Sequence, residues 1–144
     1  MTGDERNWLA ERFEEHRGRR VKGATTAPDA DLACQRQLVD AFLAASRGGD
    51  FDALVAVLDA DVVFRVDREP APVRGAAEVA RRVLERGRPL APLGRPALVN
   101  GSAGVLVGEP DRPLAVVAFT VARGRIASID VITDVRRARI LNGA

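Results

Sequence analysis

The sequence predicts an α+β domain in which a curved, largely antiparallel sheet wraps around helices packed on one of its faces. Three observations predict it. Two capped, amphipathic helical runs open the region from residue 31. A single β-rich run and a third helical run follow. The second half is a series of long apolar, β-branched segments joined by short polar turns. With 144 residues, 47% apolar and 29% charged, the chain can enclose one real core, and it shows no internal repeat or low-complexity run.

The elements follow in order. Residues 8–20, WLAERFEEHRGRR, place Trp8, Leu9, Arg12, Phe13 and His16 at helical spacing, and residues 21–30 read as a linker, so 1–30 are expected to be a short helix and tether ahead of a domain spanning 31–144. Asp29 or Asp31 can cap the first helix of the domain, whose apolar face is Leu32, Leu38, Val39, Phe42 and Leu43. Gly48-Gly49 ends it, because glycine accepts the left-handed backbone of a helix C-terminus. Asp50 caps a shorter helix expected to turn Phe51, Leu54, Val55 and Leu58 inward. After an Asp59-Ala60-Asp61 turn, Val62 to Asp67 reads as the first strand, and Glu69 to Pro72 as a proline-rich turn. Gly75 to Arg86 is the third helix, and Gly87 to Pro96 a loop. Three strand-like runs remain: Ala97 to Val107, broken at Gly101-Ser102; Leu114 to Ala122; and Arg125 to Thr133. Arg123-Gly124 is a tight hairpin signal between the last two. Asp134 to Leu141 is expected to form a terminal helical turn.

Composition removes whole classes of chemistry. There is no Tyr, one Trp (Trp8), one His (His16) and one Cys (Cys34). No disulfide can form within the chain, and a single thiol suits a reducing cytoplasm. Zinc sites built from His and Cys, and a Ser-His-Asp triad in the main domain, are excluded, since His16 lies in the N-terminal stub. Catalysis would therefore rest on carboxylates, Arg and hydroxyls. Cys34, beside Gln35 and Arg36, has no base placed near it. The glycines at 101, 104 and 108 do not follow a strand-to-helix phosphate pattern. A net charge of +2, from 22 basic against 20 acidic residues spread along the chain, marks no nucleic-acid footprint. No apolar stretch approaches a bilayer span and the N-terminus lacks a signal-peptide layout, so a cytoplasmic protein with no membrane partner is expected.

Particular segments resemble a known fold family. They are Val39-Asp40-Ala41-Phe42 in the first helix, Gly49-Asp50-Phe51-Asp52-Ala53-Leu54 opening the second, Leu58-Asp59-Ala60-Asp61-Val62-Val63-Phe64 into the first strand, Val73-Arg74-Gly75 before the third helix, and Gly124-Arg125-Ile126 opening the last strand. Their order is similar to that of ketosteroid isomerase, nuclear transport factor 2 and the SnoaL-like polyketide cyclases. The resemblance covers residues 31 to about 141 and implies a cone-shaped, mixed or antiparallel sheet around three helices, the SnoaL-like or cystatin-like architecture. The runs RQLVDAFLAASRGGDFDALVAVLDADVVFRVD, VRGAAEVARRVL, ALVNGSAGVLV and PLAVVAFTVARGRIASIDVITD further resemble the C-terminal SnoaL-like domain of actinobacterial extracytoplasmic-function sigma factors. WLAERFEEHRGRR resembles the opening helix of such factors, and VKGATTAPDADLACQRQ the end of the promoter-reading domain and its linker. The two transcription domains are therefore expected to be missing between them. The best-known group of these fusions carries Asp-Gly-Gly-Gly-Lys after the first strand and Asn-Pro-Asp-Lys-Leu near the C-terminus. This chain has Asp67-Arg68-Glu69-Pro70-Ala71-Pro72 and Thr133-Asp134-Val135-Arg136-Arg137 there, which marks a divergent branch.

What the resemblance implies about function is a non-catalytic regulatory or small-ligand-binding domain, without promoter binding of its own. A sigma factor or RNA polymerase contact, a hydrophobic small molecule and a second copy of the chain are the expected partners, with no direct DNA binding. A homodimer is expected to bury apolar outer-face positions such as Val117, Phe119, Val121, Ile129 and Val131. The alternative is an Asp-dependent isomerase, cyclase or epoxide hydrolase acting on a hydrophobic small molecule. Catalytic members of the fold place an Asp in the apolar cone, where desolvation raises its pKa. The candidate catalytic residues are Asp130 and Asp67. Strand alternation puts Arg65 and Asp67 on one face with Val62, Phe64 and Val66 on the other, and puts Asp130 on a face with Ile126, Ser128 and Ile132. Asp67, Arg65 and Asp130 could imitate the Asp-Arg-Asp set of limonene-epoxide hydrolase, whereas the absence of Tyr removes the usual isomerase oxyanion donor. The expected ligand-binding set is Phe64, Arg65, Asn100, Phe119, Asp130 and Ile132, with no metal and no cofactor.

Overall fold

The structure, a computed structural model, describes residues 31–69, 71–137 and 140–142. The expected stub helix and linker of residues 1–30, with Trp8 and His16, lie outside the described residues.

Helix α1 (Leu32–Gly48) starts where Asp31 accepts the Ala33 amide at 2.9 Å and stops where Gly49 turns left-handed at φ 68°. Asp50 caps α2 (Phe51–Val57) by accepting the Ala53 amide. Leu54 is fully buried, but Phe51 is 37% exposed and Leu58 belongs to the following strand, so the inward face of α2 is narrower than its sequence suggests. Strand β1 (Leu58–Val66) therefore begins four residues earlier than Val62. Asp59-Ala60-Asp61 is a bulged stretch of that strand, the Asp61 amide donating to the Asp59 carboxylate at 2.9 Å, and no separate turn forms.

Strand β2 (Val73–Arg74) pairs with β1 before α3 (Ala76–Arg82). The expected third helix does not run evenly to Arg86. At Val83 it widens into a π-helical turn (Val83–Gly87), and a 3-10 segment (Arg88–Leu93) replaces the expected loop. Strands β3 (Gly94–Val99), β4 (Ser102–Glu109), β5 (Arg112–Ala122) and β6 (Arg125–Ile132) then form an antiparallel meander. Arg123 and Gly124, both at positive φ (57° and 74°), make the expected hairpin between β5 and β6. The C-terminal segment forms a 3-10 turn (Val135–Arg137) and then a short strand, β7 (Ile140–Asn142), in place of a continuous helical turn.

Among the described residues the strands form one mixed sheet in the order β2-β1-β6-β5-β4-β3-β7, with β1 parallel to β6 and the other pairs antiparallel. The three helices pack on its inner face around Val39, Phe42, Leu54, Val79, Phe119, Ile126 and Ile129. A smaller cluster of Ala97, Val99, Leu106 and Val116 lies on the outer face, packed against Ile132 and Val135. Val116 is fully buried there because the C-terminal segment leaves β6, crosses this face and pairs with β3 at the far edge.

Two face assignments made from strand alternation are corrected. Val117, Phe119, Ile129 and Val131 pack with the helix-covered core, and Val121 is buried too, so these residues are not an outer surface awaiting a second copy. The register also shifts between Thr120 and Val121, where Thr120 pairs with Ser128 but Val121 pairs with Ile126. Ala127 is the extra residue, and one extra residue reverses which side follows. Ile126 consequently joins Ile129 in the inner core, while Asp130 lies on the opposite face.

Candidate functional site

Between α1, the π turn and the inner face of the sheet is a partly open cavity of about 230 Å³. Phe42, Leu43 and Ser46 of α1 form one wall. Phe64 and Val66 of β1, Ile129 and Val131 of β6, and Val105, Val107, Ala115 and Val117 of β4 and β5 form the other. Leu90 and Ala91 of the 3-10 segment line the end beside the π turn. Arg47 holds that segment against α1 by donating to the Ala91 carbonyl at 3.4 Å and the Gly94 carbonyl at 2.6 Å. The approach is close enough that a Cβ at Gly94 would sit 3.1 Å from Leu43 and 3.2 Å from Val105.

Charge is confined to one side of the cavity. The chain leaves β1 through a reversal in which the Glu69 amide donates to the Val66 carbonyl and Arg68 adopts φ 76°, and this brings Glu69 to the opening. Arg82, at the end of α3, stands 3.8 Å from one Glu69 oxygen, and Arg86, in the π turn, 3.5 Å from the other. These side chains keep partial solvent exposure, as does Leu90, which identifies this edge as the mouth. The interior lining is apolar apart from Ser46, whose hydroxyl donates to the Phe42 carbonyl at 2.8 Å.

The residues singled out in the sequence are not gathered in this cavity. Phe64 lines it. Phe119 is 7% exposed and packs edge-on against Phe42, with ring centroids 5.1 Å apart, as part of the core. Arg65, Asp67, Asn100, Asp130 and Ile132 border a second, larger depression of about 530 Å³ on the other side of the sheet. Arg65 and Asp130 are direct neighbours in the parallel β1–β6 ladder and form a two-pronged ion pair, Nε to Oδ1 at 2.7 Å and a second nitrogen to Oδ2 at 3.2 Å. That hydrogen bonding and the Asp130 charge raise the Arg65 pKa above the ordinary arginine value, with burial opposing.

Asp67 accepts the Thr133 hydroxyl and the amides of Thr133 and Asp134. The Thr133 hydroxyl bond, chiefly, holds its pKa below the usual carboxylate value against the opposing effect of burial, with the Thr133 and Asp134 amides and the Arg68 charge adding smaller contributions. A base for carbon acids needs the opposite shift. The Asp67, Arg65 and Asp130 side chains sit on the far side of the sheet from the apolar cavity, engaged with protein partners.

Sequence reasoning missed the mouth. Glu69 falls in the expected proline-rich turn and Arg82 and Arg86 within the expected third helix, where nothing marks them as part of a site. The available signal was two arginines four positions apart, Arg82 and Arg86, on a helix that also carries Glu78, Arg81 and Glu85. Among the described residues no cluster of three or more His, Cys, Asp or Glu side chains is placed to hold a metal ion, and no helix is long and apolar enough to cross a membrane.

No protein-family model matches the chain, and no curated protein matches it. Solved structures do. The extracytoplasmic function sigma factor SigJ of Mycobacterium tuberculosis is 30% identical over 70% of this chain, with a TM-score of 0.59, and this chain spans 42% of that protein's length. A protein described as a putative ketosteroid isomerase from Kribbella flavida DSM 17836 is 18% identical over 72% of this chain and 79% of its own, with a TM-score of 0.53. An NTF-2 like protein of unknown function from Burkholderia xenovorans LB400 is 19% identical over 69% of this chain and 81% of its own, also with a TM-score of 0.53. The last two likenesses show the shared fold. Together with the helix-lined mixed sheet, these matches show that the described residues adopt the nuclear transport factor 2-like fold, and the chain is similar to the SnoaL-like C-terminal domain of SigJ.

Proposed function

We propose that this domain is a non-catalytic regulatory module that binds a small hydrophobic molecule in its inner cavity. The observation that carries the reading is the apolar lining of the inner cavity, which holds no aspartate. Its interior is lined by Phe, Leu, Val, Ile and Ala, while Asp67 and Asp130 border the depression across the sheet, tied to Thr133 and Arg65. An apolar cavity with a few polar groups at one edge is the usual form of a small-molecule site. The Asp-dependent isomerase, cyclase or hydrolase alternative needs a base inside. Among the described residues the carboxylate that touches the cavity is Glu69, at the mouth and flanked by two arginines.

The likeness to SigJ supports a place for the module in transcription control in the cytoplasm, acting through a sigma factor or RNA polymerase contact without binding promoter DNA itself. A near-balanced charge of +2 agrees with a module that leaves DNA to its partner. Calorimetric titration of the full chain with the neutral probe 4-phenylbutanol tests the binding reading. Saturable one-to-one binding that is lost in Val117→Phe, which fills the cavity from β5, is the expected result. Equal heat in both proteins, or none in either, would overturn it.

A further inference from the structure

The ion pairs at the mouth are unbalanced. Glu69 supplies one negative charge against the two positive charges of Arg82 and Arg86, and its oxygens stand 3.8 and 3.5 Å from them, beyond good hydrogen-bond length. All three side chains are partly solvent-exposed, which makes such contacts weak and exchangeable. Two guanidinium groups converging on one opening offer several donors in the planar geometry that suits a carboxylate, and one internal carboxylate at long distance leaves much of that capacity unused.

Size restricts the other end of a ligand. An apolar cavity of about 150 Å³ accommodates benzene. The cavity here, at about 230 Å³, admits a ring with a short chain, or an aliphatic body of equal bulk. A polar group carried inside would lose its hydration among aliphatic side chains, so the head of an amphiphile belongs at the mouth. There an anion meets two arginines and displaces Glu69, whereas a cation meets an excess positive charge.

The geometry points to a compact amphiphilic monocarboxylate as the ligand, its apolar body in the inner cavity and its carboxylate held by Arg82 and Arg86. This rests on the reading of the cavity as a binding site. Arg82, at the end of α3, and Arg86, four positions on in the π turn, both reach the same Glu69.

The test is calorimetric titration of the full chain with three probes of one shape: 4-phenylbutanoate, 4-phenylbutanol and 4-phenylbutylamine. The acid is expected to bind about tenfold more tightly than the alcohol, the scale of one charge-assisted contact at a partly wet site. The amine is expected to bind weakest. In Arg82→Gln/Arg86→Gln the affinities for acid and alcohol should converge, and Arg86→Gln alone, at a mostly exposed side chain, should give a partial effect without risk to folding. Equal binding of acid and alcohol by the unaltered chain overturns the carboxylate assignment and leaves the apolar site standing. Tightest binding of the amine also overturns it and makes Glu69 the recognition group. Failure of all three probes to bind removes both the assignment and the site it depends on.

Discussion

The Asp67 carboxylate accepts the Thr133 amide at 3.0 and 2.9 Å through its two oxygens and the Thr133 hydroxyl at 2.7 Å. The Asp134 amide adds a further bond at 3.1 Å. The loop after β1 is thereby tied to the point where the chain leaves β6 to cross the outer face. Those are the two segments in which the sequence departs from the best-known sigma-factor fusions, and they meet through this one side chain. Val135, two residues beyond Thr133, then covers Val116 and Leu106.

Asp67→Ala should loosen that crossing. Water reaches the carboxylate, so the expected loss is about 1 kcal/mol, discounted below the roughly 1.5–3 kcal/mol of hydrogen bonds to a charged group. Urea unfolding of both proteins measures it. The pH dependence has a definite sign. The folded-state pKa of Asp67 is depressed, so its contribution is fully present above the unfolded-state value of about 4 and is lost as pH falls through the lower folded value. The difference between wild type and Asp67→Ala should therefore be constant at neutral pH and shrink only in acid. A gap that persists unchanged through the acid range would show that the charge is not what matters.

Phe119 separates a packing role from a ligand role. It is 7% exposed and meets Phe42 edge-on at 5.1 Å, in a core where both rings are held by α1 and β5. Phe119→Ala should cost about 3–5 kcal/mol, the usual range for a buried aromatic side chain replaced by alanine. Against a typical domain stability of about 5–15 kcal/mol, this is a large fraction, visible as a marked drop in the urea midpoint. A loss of probe binding with an unchanged midpoint would instead return Phe119 to the ligand site.

Gly104 is required by contact distance. It lies on β4 where β3 and β5 flank it, and a Cβ there would be 2.6 Å from the Val117 carbonyl oxygen and 2.7 Å from a Val99 methyl. A backbone oxygen in the middle of a ladder cannot swing aside. Gly104→Ala should destabilise by about 1–3 kcal/mol as overpacking, despite the higher strand propensity of most residues over glycine. Thermal melting checks it, and a neutral or stabilising result would mean that the β4–β5 pair can separate locally.

Much of the architecture was written locally. The Asp50 cap, the Gly48-Gly49 stop and the Arg123-Gly124 hairpin depend on residues within a few positions, so the sequence placed them, and the structure chose Asp31 over Asp29 as the first cap. The site was not local. A single unpaired residue, Ala127, reverses the face of β6, and regular alternation carried Asp130 to the wrong side of the sheet. The mouth is assembled from Glu69 after β1 and two arginines in and after α3, joined by a π turn that no short pattern announces. The covering of the outer face by the C-terminal segment is likewise a long-range outcome, dependent on pairing between β7 and β3. Local chemistry identified the fold, and long-range pairing decided which charged residues share a surface with the cavity.

Glu69→Gln gives the last prediction, because Glu69 is the internal competitor for the two arginines. Neutralising it removes weak ion pairs of the exposed kind, each worth under about 1 kcal/mol, so folding stability should change little. A ligand carboxylate would no longer have to displace a like charge. Its affinity should rise about two- to fivefold, which corresponds to the same energy range. The gain should be larger at low salt than at high salt, since the charges involved are solvent-exposed and screened. Titration of 4-phenylbutanoate into wild type and Glu69→Gln at two ionic strengths measures both effects, with 4-phenylbutanol as the uncharged reference. A fall in carboxylate affinity would mean that Glu69 orients Arg82 and Arg86 for the ligand. The ion pairs would then be part of the binding geometry, and Glu69→Asp should restore affinity that Glu69→Gln had lost.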